Sequence, residues 1–166
     1  MPLQGADMSW ALGNELPSSV LSLLRDSRPS PFAGQAFVLV STDADGWPRQ
    51  AMLSLGEVVA LSTRRLGLAV WASSDTASNL SRRGRGVLTF VHGGAAYSVR
   101  LTALRGRDVP IEGFALATFG AVVEEVRCDV APYAELVSGV SFRLREPEVA
   151  LRRWIRTREV LLRDTK

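Results

Sequence analysis

The sequence predicts a small, mainly β domain with a few helices, curled into a barrel. Three observations lead there. About six or seven strand-like apolar segments follow one another at short spacing. The connections carry turn residues, as in Asp43-Ala44-Asp45-Gly46 and His92-Gly93-Gly94. Helical periodicity is confined to the two ends of the chain and one short internal stretch. Many short strands with tight turns and few helices suit a barrel.

Each element follows from its own pattern. Leu16, Val20, Leu23 and Leu24 share one face of a short helix after Pro17, ended by Pro29 and Pro31, so residues 1–30 read as an N-terminal helical extension. Residues 36–41 are continuously apolar and read as a strand buried on both faces. The turn at 43–46 returns the chain along 49–55, with Gln50, Met52 and Ser54 on one face and Ala51, Leu53 and Leu55 on the other. Residues 57–61 continue that strand, and 62–65 turn.

In 66–72, Leu66, Leu68 and Val70 alternate with Gly67, Ala69 and Trp71. A polar turn (Ser73, Ser74, Asp75, Thr76) and a short helix ending at Asn79-Leu80 follow, then Arg82, Arg83 and Arg85 among glycines, then a strand over 87–91. Past the His92 hairpin, residues 97–104 alternate again, and 105–113 read as a loop. Residues 114–126 read as a long strand whose Ala and Leu content also suits a helix. Asp129 with Pro132 opens a short helical piece, and Val140, Phe142 and Leu144 alternate with Ser141, Arg143 and Arg145. Pro147 sits in the first turn of a closing helix over 147–163, where its missing N–H costs nothing. Leu151, Trp154, Ile155 and Leu162 mark the buried side of that helix.

Composition bounds the function. With 166 residues, 46% hydrophobic and 22% charged, the chain reads as one domain, 1–166, able to bury a real core. No apolar run reaches membrane-spanning length, and MPLQGADMSW carries no basic or apolar leader, so no membrane association is expected. One cysteine, Cys128, excludes an internal disulfide and fits a reducing, cytoplasmic setting. One histidine, His92, excludes a His-rich metal site within a single chain. A net charge of +3 does not demand a nucleic acid, and the Arg82-Arg83-Gly84-Arg85 cluster lacks the interleaved aromatics such a partner needs.

Function centres on residues 66–90. A strand that hands over to small hydroxyl residues and a helix start can hold an anion, because the first N–H groups of a helix point outward unsatisfied. An ordinary capped turn reads the same way.

The segments FVLVSTDADGWPRQAML and RLGLAVWASSDTASNL, with the strand after Arg85, resemble the pyridoxamine 5′-phosphate oxidase-like, FMN-binding split-barrel superfamily. The resemblance covers roughly residues 36–104, and beyond that only strand order. It implies a six-stranded split β-barrel, a homodimer, and a flavin held in the groove between subunits. By position, Arg49 matches the arginine that contacts the FMN phosphate. Gln50, Ala51 and Met52 fall where the strand lines the ribityl chain and ring. Trp71, Ala72, Ser73 and Ser74 match the strand end that meets the cofactor, and Asn79 the end of the phosphate-binding helix.

Two departures stand out. Thr76 occupies the place where the family commonly has a lysine or arginine, leaving Arg49 to carry most of the phosphate charge with help from Arg82 or Arg83. The chain also ends RTREVLLRDTK, without the Arg–His signature of vitamin B6 oxidases. The resemblance therefore implies an FMN-dependent oxidoreductase acting on a small molecule of unknown identity. The alternatives are an enzyme of the same fold using F420, whose longer anionic tail would draw on Arg82, Arg83 and Arg100, and a non-enzymatic barrel that has lost tight cofactor binding.

Overall fold

The computed structural model describes residues 8–25 and 34–163. In chain order these form β1 (Ser9–Gly13), α1 (Ser18–Arg25), β2 (Phe37–Thr42), β3 (Pro48–Leu53), β4 (Val58–Ser62), β5 (Arg65–Trp71), α2 (Asp75–Arg83), β6 (Arg85–His92), β7 (Ala95–Ile111), β8 (Phe114–Asp129) and α3 (Pro147–Arg163). All described strands join one antiparallel sheet in the order β3-β2-β6-β7-β8-β5-β4, with β1 added on β8. That makes eight strands against the six expected, in a sheet whose ends at β3 and β4 are not paired with each other among the described residues. Pro29 and Pro31 lie outside the described residues.

The sheet curls because the inward residues of its strands meet in one core. Phe37 and Leu39 of β2, Leu66, Leu68 and Val70 of β5, Leu88 and Phe90 of β6, and Val99 and Leu101 of β7 pack with Phe119, Val123 and Val126 of β8. Helix α1 adds Val20, Leu23 and Leu24, and α2 adds Ala77 and Leu80. A smaller cluster on the other face of β5 joins Val59, Ala69, Ile111, Leu116 and Leu161. There α3 covers the sheet, so β5 is buried on both faces, whereas β2, which was expected to be, is not. β2 instead alternates: Phe37, Leu39 and Ser41 are buried, and Val38, Val40 and Thr42 are only half-buried.

The hairpins follow their turn chemistry. Asp43 Oδ1 accepts from the N–H groups of Asp45 (3.0 Å) and Trp47 (2.9 Å), which pins the β2–β3 turn. The β7–β8 connection corrects the loop expected at 105–113. β7 runs on to Ile111, its register shifting between Arg105 and Asp108, and a two-residue turn reverses it. Glu112 (φ 49°) and Gly113 (φ 85°) both take the left-handed conformation that a type I′ turn needs. Glu-Gly is a weak sequence signal for such a turn, which is why the strand end was missed.

Four further expectations are corrected. A turn closed by Glu57 N–H on the Ser54 carbonyl (3.0 Å) splits 49–61 into β3 and β4. The short helical piece expected at Asp129 and Pro132 does not form, and of 140–144 only Ser141 pairs, in an isolated bridge to Gln35. In α3 the buried residues are Trp154, Thr157, Arg158 and Leu161, whereas Ile155 and Leu162 are about half exposed. An arginine was not counted as a core residue, so the stripe was drawn one position off. No helix among the described residues is long and apolar enough to cross a membrane.

Candidate functional site

Helix α2 positions the site. Ser74 caps it: the hydroxyl accepts from Ala77 N–H (3.1 Å) and donates to the Trp71 carbonyl (2.6 Å), tying the helix start to the end of β5. Gly84 (φ 63°) closes it in the left-handed conformation, its N–H returning to the Leu80 carbonyl at 2.8 Å. Asp75 in the first turn and Arg82 and Arg83 in the last complement the helix dipole. The helix thus starts two residues earlier, and runs three residues further, than the sequence suggested.

The ten residues singled out from the sequence divide into four groups. Arg49 and the start of α2 do come together: its Nη2 lies 2.9 Å from Asp75 Oδ2, both side chains largely exposed. Arg49, the residue matched to the phosphate, is thus engaged by a carboxylate in a solvent-screened pair. Ser73 and Ser74 stand beside it at the end of β5, with Ala72 half-buried.

Thr76 and Asn79 point inward. Thr76 is buried, and Asn79 is 3% exposed with its Nδ2 donating to Ser41 Oγ at 3.1 Å. Asn79 thereby ties α2 to β2.

Gln50 and Met52 lie on the opposite side of β3 from Arg49, Ala51 and Leu53. Met52 is 67% exposed, and it pairs across to Val38 on the uncovered outer face of the sheet. Further along that face a groove of about 580 Å³ is lined by Val40, Thr42, Arg85, Val87, Arg100 and Glu124, among others. Within it Arg100 is ion-paired to Glu125 at 2.7 Å.

Trp71 is half exposed and stacks at a tilt on Phe114 (4.8 Å between centroids), with Arg153 on Phe114's ring at 5.5 Å. This aromatic step borders a narrow cleft with Glu57 and Trp154. Burial pushes the Glu57 carboxyl above its usual range, opposed by the Ser54 N–H and hydroxyl that donate to it and by the charge of Arg153. Tyr97 is likewise raised, by burial first and then by the neighbouring Cys128.

The residues that sequence reasoning missed are Ser78, Ser81 and Arg105. With Ser73, Ser74 and Arg82 they line a concavity of about 460 Å³ along the outer side of α2. Their donor set suits a phosphate: hydroxyls and guanidinium groups, with no carboxylate among the lining residues. The serines stood in plain view at helical spacing, but Arg105 arrives from the part of β7 that had been read as a loop. The arginines expected to share an extended anionic tail are dispersed. Arg82 lines this concavity, Arg100 the groove on the sheet, and Arg83 donates to the Asp43 and Ala44 carbonyls.

Comparison with known proteins adds the following. No protein-family model matches the chain. It is 39% identical over 129 residues to the uncharacterized protein YclD of Bacillus subtilis (strain 168), spanning 78% of this chain and 84% of that one. Among solved structures it resembles a pyridoxamine 5′-phosphate oxidase-like protein of Lactobacillus delbrueckii with a TM-score of 0.55 at 20% identity, covering 70% of this chain and 97% of the other. An FMN-binding protein of Syntrophomonas wolfei aligns with a TM-score of 0.44 at 14% identity, covering 66% and 83%.

Proposed function

The chain belongs to one family with YclD of Bacillus subtilis and shares the fold of the Lactobacillus delbrueckii structure, and on that premise we propose that it is a member of the pyridoxamine 5′-phosphate oxidase-like, FMN-binding split-barrel superfamily, binds FMN and serves as a flavin-dependent oxidoreductase for a small molecule. The observation that carries this reading is the hydroxyl and arginine set gathered where β5 hands over to α2, and an outer sheet face on β3 separately leaves Met52 uncovered. A dianionic phosphate needs the first, and a flat apolar ring the second.

In this reading Ser73 and Ser74 would meet the phosphate end, and Gln50 and Met52 would border the ring. Bound flavin would supply the two-electron chemistry. The chain's own contribution is positional. The capped helix start fixes the hydroxyls, the Asn79–Ser41 bond holds α2 on β2, and Trp71 with Phe114 presents an aromatic edge to the solvent side. A second copy of the chain on the outer face of the sheet would complete the groove, and a cytoplasmic setting would suit a chain whose one cysteine is Cys128.

The Arg49–Asp75 pair favours a second reading, a barrel that has lost tight cofactor binding, because it removes one cation from the phosphate end. One experiment separates the two. The absorbance spectrum of freshly purified protein is recorded, heat-released material is weighed by mass spectrometry, and the apo-protein is titrated with FMN and with F420. Flavin absorbance with a released FMN mass is the expected result, and sedimentation should give twice the chain mass. Uptake of F420 alone would move the assignment to that cofactor. A colourless protein that takes up neither would leave the barrel and remove the oxidoreductase.

A further inference from the structure

We propose that the phosphate-binding centre of this protein is the concavity on the outer side of α2, built by Ser73, Ser78, Arg82 and Arg105, and that Arg49 is not part of it. The choice of FMN as ligand rests on the flavin reading above; the site itself rests on these residues.

Ser74, Ser78, Ser81 and Arg82 recur at helical spacing and so share one face of α2, while Arg105 reaches over them from β7. Arg105 is held in place. Its Nη2 binds both oxygens of Asp108 (2.9 and 3.1 Å), its guanidinium lies 5.9 Å over the Phe119 ring, and its Nη1 is directed to Ser81 Oγ at 2.9 Å. A guanidinium fixed in this way loses little freedom when an oxyanion replaces the serine as its acceptor.

Arg82 supplies the uncompensated charge. Its one described contact is a 3.3 Å bond to Ser78 Oγ, and among the described residues it has no carboxylate partner. The hydroxyls also sort themselves. Ser74 spends its proton on the Trp71 carbonyl and Ser81 on that of Ala77 (2.7 Å). Ser78 accepts from Arg82 and keeps its proton to donate, and the Ser73 hydroxyl is exposed with no bond among those described. Two free hydroxyl donors and two guanidinium groups around about 460 Å³ match the oxygens of a phosphate monoester.

The neighbouring cations are otherwise occupied. Arg49 is neutralised by Asp75, and Arg83 is turned onto two turn carbonyls. A phosphate at Arg49 would have to displace a carboxylate, whereas one at Arg82 displaces a hydroxyl.

The test is titration of FMN, riboflavin and inorganic phosphate into the wild type and into Arg82→Ala, Ser78→Asp and Arg49→Ala, followed by calorimetry and by backbone amide shifts. Ser78 and Arg82 are exposed, so these variants leave the core intact, which thermal melts check. FMN affinity should fall about tenfold or more in Arg82→Ala and Ser78→Asp, with riboflavin unaffected, and stay within about threefold in Arg49→Ala. A drop of about tenfold in Arg49→Ala with the other two unchanged would overturn the site while leaving the flavin. Equal binding of FMN and riboflavin would also overturn it. Should the wild type fail to bind FMN, phosphate shifts confined to Ser73–Arg82 and Arg105 and abolished by Ser78→Asp would uphold the site for another phosphate ester. Absence of any saturable phosphate shift would sink both.

Discussion

Replacing Arg158 with methionine should cost this protein about 3–5 kcal/mol of stability. Arg158 is 4% exposed in the middle of α3, and its guanidinium donates to three backbone carbonyls on other elements: Leu55 (2.5 Å), Val58 (3.0 Å) and Leu24 (3.0 Å). One side chain therefore joins α3 to the β3–β4 turn and to the end of α1. A hydrogen bond to a charged donor contributes about 1.5–3 kcal/mol, and a carbonyl left buried without a partner costs about 1–3 kcal/mol. Summing three such bonds gives about 4.5–9 kcal/mol, but the bonds share one guanidinium, so the total falls below additivity. Methionine keeps most of the aliphatic stem, which isolates the polar loss. For a chain of this size the loss corresponds to a fall in Tm of about 6–20 °C. Urea unfolding followed by tryptophan fluorescence reads both the midpoint and the slope, and Arg158→Lys should lie between wild type and Arg158→Met. A loss below about 1 kcal/mol in Arg158→Met, with the slope unchanged, would refute the reasoning.

Other consequences concern the same joints. A Cβ on Gly56 would overlap the Trp154 side chain, so Gly56→Ala should destabilise by about 1–3 kcal/mol. Adding Trp154→Leu should cost less than the two single changes summed, and strict additivity would argue against the clash. Asn79→Ala should lose about 1–3 kcal/mol by leaving Ser41 buried without its donor, and the double change with Ser41→Ala should recover part of it in a mutant cycle. Glu57 has its folded-state pKa raised, so the folded protein holds that proton more tightly than the unfolded chain. Its contribution is fully present below the unfolded value of 4.5 and is lost as pH rises through the raised value. Wild type should thus gain on Glu57→Gln as pH falls from neutrality toward that value, and a difference independent of pH would contradict the burial.

How far the sequence led can be traced in particular residues. The hairpin at Asp43–Trp47, the alternation of β5, and the serine cap of α2 are legible because each depends on neighbours a few positions away. The same holds for Leu16, Val20, Leu23 and Leu24, whose spacing alone placed them in the core. Asn79 shows the limit. Resemblance put it at a cofactor, whereas the structure turns it toward Ser41, 38 positions earlier in the chain. Arg49 shows the same limit in electrostatics, since its partner Asp75 is 26 positions later, and the charge it offers a ligand is set by that pair.

By itself the sequence determined most of the strands, most of the turns and the capped helix, all of which rest on backbone preferences and side-chain periods that act locally. Only the tertiary structure decided which guanidinium groups stay available. Packing brings Arg105 over the serines of α2, buries Arg158 among carbonyls and spends Arg49 on Asp75. An arginine reads the same in the chain wherever it goes. Its chemistry is set by whether a carboxylate, a carbonyl or open solvent faces it, and that is decided by long-range contacts.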